Sequence, residues 1–560
     1  PLWSRGLGDV YKRQDINGAV TIDGSVTIDT DNASATRGGS TVHEDGDINF
    51  SSTIDGNSGT DNLTIEAGGD GAGGALTLSG AIGGSAPLDA LSINANTTST
   101  MAFSVPQIGT GTNAGAGTSS ATVTIGNANS GDITFSTTNS AGAGSIAYVF
   151  GGDTTITSGG GTNAFQIGAG DTTFKNATST SSITFATGGF TLGDDADLKI
   201  ETTNGAISVG AIAGTAGLKA TDVILDAGTS TTSIGAVATD INDLTVSGTG
   251  VITLTGDITT EDSTAAGDNG ATAEDGAQSY AGAVVIHGGD LTLTTGGGGA
   301  SFSSTINSQA SQARALTIAN TDGAVSVTGA IGTGTNGALG ALIIGTAEAA
   351  GNTGNITLAA IGTDSAAGAA SITVGNSRTG TLTLGGVEYF STGAQTWESD
   401  DFNLTGADIT IQTTDSNVTF QDGGTGQIVL SDTADLTIDT GSGGGNISIT
   451  PTIAGTTGGA NRSEDITLDA GTGNIELLNT AAAVIATDIG DVTLTGTTIS
   501  LYDNITTTGT DSGGVQTEID INGAVVLEDA VTITSTGGNI DFSSTIKSDS
   551  TARNFTISSG

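Results

Sequence analysis

Cysteine is absent from the 560 residues, so neither a disulfide framework nor a thiolate metal site can form. Proline contributes only 4 residues, aromatic residues 4% and charged residues 12%. That is too few large side chains for several thick globular cores. Cations are the scarcest charge: 12 Lys and Arg stand against 58 Asp and Glu, a formal charge of −46. Such a chain repels phosphate backbones and anionic membranes, which argues against nucleic acid as a partner. No run of about 18 apolar residues is present, so no membrane-spanning segment is expected. No signal-peptide pattern opens the sequence.

What is present is glycine, at 92 residues, and a hydrophobic fraction of 35% arranged in short clusters. Disorder is the rival reading of a chain rich in Gly, Ser and Thr. The regularity of the clusters opposes it. Phrases such as "GDITF" (131–135), "ADLTI" (434–438) and "GDVTL" (490–494) alternate apolar and polar residues after an Asp. In a strand that alternation sends Ile133 and Phe135 to a core and Thr134 to water. β-Branched side chains suit such a half-buried surface, and no window carries a sustained helical period.

Apolar pairs begin at Phe402, Ile409, Val418, Ile428, Leu436 and Ile447, at intervals of 7, 9, 10, 8 and 11 residues. Short strands with Gly, Asn and Asp corners fit an all-β, elongated right-handed parallel β-helix, or β-solenoid, with three faces per coil. A coil of roughly 25 to 27 residues gives about 20 coils and, at about 4.8 Å per strand, a length on the order of 100 Å. "GNI" recurs at 354–356, 445–447, 473–475 and 538–540. Its Asn suits a corner before a strand, or an amide ladder between coils.

A longer repeat overlies the short one. "NGAVTIDGSVTI" (17–28), "AGAVVIHGGDLTL" (281–293) and "NGAVVLEDAVTI" (522–533) are versions of one passage. Each is followed by "FSSTI", at 50–54, 302–306 and 542–546, and then by "DNLTI", "RALTI" or "RNFTI". The Gly-Ala-Val phrases lie 264 and then 241 residues apart, and "GALTLSGAIGG" (74–84) matches "GAVSVTGAIGT" (323–333). Residues 15–560 thus read as a continuous solenoid fragment with repeats beginning near 15, 279 and 520. The first 14 residues, "PLWSRGLGDVYKRQ", have no counterpart before the later copies and hold 3 of the 12 basic residues. They resemble a translated adapter or linker scar, so Pro1 to Gln14, Trp3 included, is expected to pack against nothing.

Phrases of the type "GNITL", "GAIG" and "LxxLxI" strung with Gly, Thr and Asp resemble the repeat regions of filamentous haemagglutinin-like exoproteins and autotransporter passengers. The resemblance lies in the repeat grammar from Asp15 to Gly560. It implies export to the bacterial outer surface or the medium, and adhesion. It carries no diagnostic site, and the secretion-domain signatures of those families are not found.

Candidate chemistry is sparse. His287 replaces Asp23 and Glu528 of the other copies and reads as a solvated residue; His43 adjoins Glu44 and Asp45 without a zinc spacing. Asp194, Asp195 and Asp197 share one corner, where hard oxygen ligands could hold calcium, the one cofactor considered, or simply solvate a turn. "VEYFSTGAQTWESDDF" (387–402) is the densest aromatic stretch. Tyr389 and Trp397 beside Glu398, Asp400 and Asp401 could stack and hydrogen-bond a sugar; alternatively the rings fill a wider coil. A lyase for acidic polysaccharides needs convergent basic residues, which the sequence scatters. Threonine rows of the ice-binding kind need a regular coil, and the uneven intervals argue against one. The sequence therefore predicts a non-enzymatic stalk of a secreted or cell-surface adhesin-like exoprotein. Its partners would be host or matrix glycans or surface proteins, and the alternative is a carbohydrate-binding or carbohydrate-active β-helix.

Overall fold

The computed structural model describes residues 13–559 except 38–39, 68–73, 96–100, 111–113, 118–120, 137, 140–141, 144–145, 160–163, 169, 195, 216–220, 239, 263–275, 321–322, 334–336, 346–353, 364–367, 378, 423–425, 433, 457–463, 479–483, 487 and 509–516; at 13, 31–45 and 138–143 only backbone is described. Trp3 and the rest of 1–12 lie outside this set; Arg13 and Gln14, expected to pack against nothing, instead pair in a strand with Asp47 and Ile48. No helix occurs among the described residues. The chain is a parallel β-solenoid of about 16 turns. Two short antiparallel ribbons, Asp31–Arg37 with Ser40–Asp45 and Thr138–Asn139 with Gly142–Ala143, branch from it.

Two compact units divide at Gly282 and Ala283, inside the second copy of the Gly-Ala-Val passage. The first has three faces. One stacks Asn62–Ala67, Ala90–Ala95, Val123–Ile125 and their successors to Ile252–Leu254. The next runs from Met101–Val105 to Ile212–Gly214, and the third from Ile146–Phe150 to Leu244–Val246. The second unit repeats the plan, with a face from Ala300–Phe302 to Thr452–Gly455 and another from Leu291–Thr295 to Asn474–Leu477. Its third face starts as single bridges, Ile306 to Ile331 to Ile361 to Tyr389, and widens into the strands Glu388–Ser391, Ile409–Thr413 and Leu436–Asp439.

Alternation places the side chains as the pattern predicts. Ile133 and Phe135 are buried and Thr134 is exposed; Phe402, Ile409, Val418, Ile428, Leu436 and Ile447 are all buried. Inward residues stack in columns, such as Ile344, Val374, Trp397, Phe420, Ile449 and Leu477 on successive coils. Each buried Ile or Leu contributes about 1.5 to 3 kcal/mol relative to exposure. In the first unit the scarce aromatics gather: Phe135, Tyr148 and Phe174 lie 4.9 to 5.2 Å apart, and Phe185 meets Phe174 at 5.0 Å and Phe190 at 4.6 Å.

Coils differ in length. Asn62 reaches Ser25 over 37 residues, whereas Asn242 reaches Asp222 over 20. Extra residues enter at corners and leave the strand register intact.

Several Asp and Asn residues that stand at the corner before a strand have a common task. The side-chain oxygen accepts the backbone N–H at the same corner of the next coil. Asp197 accepts Asp222 at 2.9 Å, Asp222 accepts Asp243 at 3.2 Å and Asp243 accepts Ala277 at 2.7 Å. In the second unit Asp435 accepts Asp465 at 2.9 Å, Asp465 accepts Asp491 and Asp491 accepts Glu518, both at 2.7 Å. The Asn of "GNI" does the same: Asn355 accepts Thr381 at 3.0 Å and Asn446 accepts Asn474 at 2.9 Å. The ladder thus runs from side chain to backbone, not from amide to amide, because the corner leaves an N–H aimed at the coil below.

Stacked carboxylates also repel. Burial, with the charges of Asp408 and Asp491, holds the Asp435 carboxyl above the ordinary carboxylate range, against the pull of the Asp465 amide. The folded state therefore binds this proton more tightly than the unfolded chain. Its ionised form costs stability at neutral pH, and protonation recovers that stability as pH falls through the raised value. Asp435→Asn keeps the acceptor and removes the charge. It should raise the urea midpoint at pH 7, with the difference shrinking as pH approaches about 3.9. Asp465→Ala, which orphans the Asp491 amide, should cost about 1 to 3 kcal/mol in the same measurement.

Candidate functional site

The aromatic stretch 387–402 sits where the third face widens. Tyr389 and Trp397 are buried inside the coil, their rings 5.6 Å apart and edge to face, and Phe420 stacks on Trp397 at 6.1 Å. Phe402 closes the cluster at 5.3 Å from Phe420. Their polar atoms are spent internally. The Tyr389 hydroxyl donates to the Leu358 carbonyl at 3.1 Å and accepts the Gly386 N–H at 2.9 Å. Trp397 Nε1 donates to Gln395 Oε1 at 3.2 Å, and Gln395 Nε2 donates to the carbonyls of Tyr389 and Gln412. Burial pushes the Tyr389 hydroxyl well above its usual titration range.

Glu398, Asp400 and Asp401 lie on the other side of the wall: Glu398 is half-buried, and Asp400 and Asp401 are exposed. The five residues do not converge on one surface. Strand alternation separates the rings from the carboxylates, so a sugar outside the coil cannot reach Tyr389 or Trp397. The rings fill the enlarged interior, the other reading of the stretch.

The outer wall at this point carries a groove of about 330 Å³ lined by Val387, Glu388, Asp408, Thr410 and Gln412. Glu388 pairs in register with Thr410 on the next coil, and the half-buried Phe390 with Gln412. Val387, 53% exposed, supplies an apolar floor. Carboxylate acceptors, a hydroxyl and an amide beside an apolar patch can hydrogen-bond a polyhydroxylated ligand. Sequence reasoning reached Glu388 by its position within the aromatic stretch but missed Asp408, Thr410 and Gln412. Only the coil interval of 22 residues between Glu388 and Thr410 would have joined them.

At the acidic corner, Asp194 is exposed in a turn, Asp195 lies outside the described residues, and Asp197 Oδ1 accepts the Asp222 N–H. Among the described residues no group of three His, Asp or Glu is placed to hold a metal ion. His287 is exposed; the His43 side chain lies outside the described set.

One expectation is reversed. Despite uneven intervals, outward hydroxyls form an unbroken row in the first unit, from Thr27 through Thr64, Ser92, Thr124 and Thr155 to Thr184, Ser208, Ser233 and Thr253. Register is set by strand pairing, and corners absorb the length differences. The row is one residue wide: Asp29, Glu66 and Asn94 flank it.

Comparison with protein-family models, curated proteins and solved structures gives no match to the chain.

Trp397→Ala should lower unfolding stability by about 3 to 5 kcal/mol, whereas Asp400→Ala should change it by no more than about 0.5 kcal/mol. Native Trp397 emission should be blue-shifted when measured in a Trp3→Phe background. A solvent-like emission would contradict the buried position.

Proposed function

We propose that the chain is a repeat stalk of a secreted or cell-surface exoprotein of the filamentous haemagglutinin or autotransporter-passenger type, acting in adhesion to host or matrix glycans or surface proteins. The supporting observation is structural repetition. The recurring phrases occupy equivalent strands, and those strands make equivalent pairs. Val20 faces Ile54, Val284 faces Ile306 and Val525 faces Ile546. Val26 faces Leu63, Leu291 faces Leu316 and Val531 faces Phe555. A module that repeats its pairing extends a solenoid without a new core, which suits a protein that works by length and by many weak contacts. The acidic surface keeps such a protein soluble and discourages contact with anionic membranes.

Beads coated with the chain should bind host cells or matrix components saturably, and a bead coated with a charge-matched unrelated protein should not. Equal retention of both would remove the adhesive reading. Modularity has its own test. Excising residues 283–523, which joins Gly282 to Ala524 at equivalent points of the repeat, should leave a β-sheet protein that still unfolds cooperatively.

The groove at Glu388 and Asp408 favours carbohydrate contact as the second reading. It predicts glycan binding weakened by Asp408→Ala with the fold unchanged. Turnover on a glycan panel would shift the reading from binding to catalysis.

A further inference from the structure

Where the third face of the second unit widens, three outward columns run in register down successive coils. Thr410 faces Thr437, Thr437 faces Thr467 and Thr467 faces Thr493. Two residues before this column stand Asp408, Asp435, Asp465 and Asp491; two residues after it stand Gln412, Asp439, Asp469 and Thr495. The groove lined by Asp408, Thr410 and Gln412 is the first step of this track, with Val387 and Glu388 at its head. No Lys or Arg stands in any of the three columns.

The third face of the first unit carries the same local pattern with one difference. The run "DLKIE" (197–201) there matches "DLTID" (435–439), and in both the leading Asp accepts the amide at the same corner of the next coil. Lys199 stands where the second unit has Thr437. Lys175, one coil earlier, pairs in register with Glu201, in the column that corresponds to Asp439. The two ammonium groups meet the Glu201 carboxylate at 2.6 Å from Lys199 and 2.7 Å from Lys175. The first unit thus supplies its own cations to its outward carboxylates. The second unit holds carboxylates at the same positions and presents threonine between them.

We propose that this track is an interaction surface for a linear cationic amino-sugar polymer, whose ammonium groups take the place that Lys175 and Lys199 fill in the first unit. The proposal rests on the carbohydrate reading of the groove and names its ligand. Charge is the first selector: carboxylates on both sides of the threonine column attract ammonium groups and repel an acidic glycan. The threonine hydroxyls between them can donate to and accept from sugar hydroxyls. Spacing is the second selector. The columns repeat at about 4.8 Å, the distance between paired strands. An extended β-linked glycan advances by close to one such step per sugar, so each sugar meets an equivalent set of side chains. A basic peptide advances by about 3.3 Å per residue and falls out of step with the coils.

Titration calorimetry of the full chain with linear β-linked glucosamine oligomers tests this, with N-acetylated oligomers and oligolysine of equal length as comparison probes. The glucosamine oligomers should bind, more tightly with each added sugar up to the length of the track, and added salt should weaken the binding. Thr437→Lys, which writes the first unit's pattern into the track, should weaken it by about tenfold or more. Thr253→Lys, in the hydroxyl row of the first unit, should leave it unchanged, and cooperative urea unfolding checks that both variants are folded. Equal binding of the N-acetylated oligomers, or binding indifferent to Thr437→Lys, overturns the proposal; if Asp408→Ala still weakens that binding, the carbohydrate reading of the groove stands without it. Equal binding of oligolysine also overturns the proposal and assigns the face to any polycation. Binding of neither sugar removes both the proposal and the carbohydrate reading.

Discussion

Strands within the solenoid satisfy their backbone on the coils before and after, and the register of those pairs governs everything else in the structure. A parallel pair held in register brings like positions together, so apolar residues meet apolar residues inside and hydroxyls meet hydroxyls outside. The Asp and Asn residues before the strands extend the same logic to the corners. Asp197 on Asp222 and Asp465 on Asp491 capture amides that the strand ladder does not reach. Leaving those amides unmet in a half-buried corner would cost more than the like-charge repulsion that stacking carboxylates introduces.

That constraint also explains where the molecule tolerates change. Corners accept insertions because nothing in the register depends on their length, and coils accordingly range from 20 to 37 residues. Interiors accept exchange among side chains that fill the same column, as when Val374 is followed by Trp397 and Phe420. Positions where two backbones nearly touch do not accept change. Gly80 and Gly329 hold the same place over a Ser-Ser-Thr corner because any side chain there would strike the main chain beneath.

A surface built by this rule is repetitive, and departures from it are local. The groove at Glu388, Asp408 and Thr410 arises where the third face broadens from single bridges into full strands, with Tyr389 and Trp397 filling the space behind it. The same widening therefore accommodates the buried Trp397 and Tyr389 rings and the shaped acidic depression outside them.

Much of the fold was legible in the sequence because strand alternation is a property of adjacent residues: Ile133, Thr134 and Phe135 declare their sides without reference to anything distant. The repeat was legible too, since "FSSTI" marks one corner in every copy. The candidate site was not. Trp397 and Asp400 are neighbours in sequence and lie on opposite sides of a wall, while Glu388 and Thr410 are distant in sequence and lie side by side. The hydroxyl row was misjudged for the same reason, because intervals along the chain include corners and register across coils does not. The sequence by itself determined the β-solenoid and its modular repetition, which depend on local pattern. Only the tertiary structure decided coil length and the residues that share the outer surface, because these depend on which strands pair.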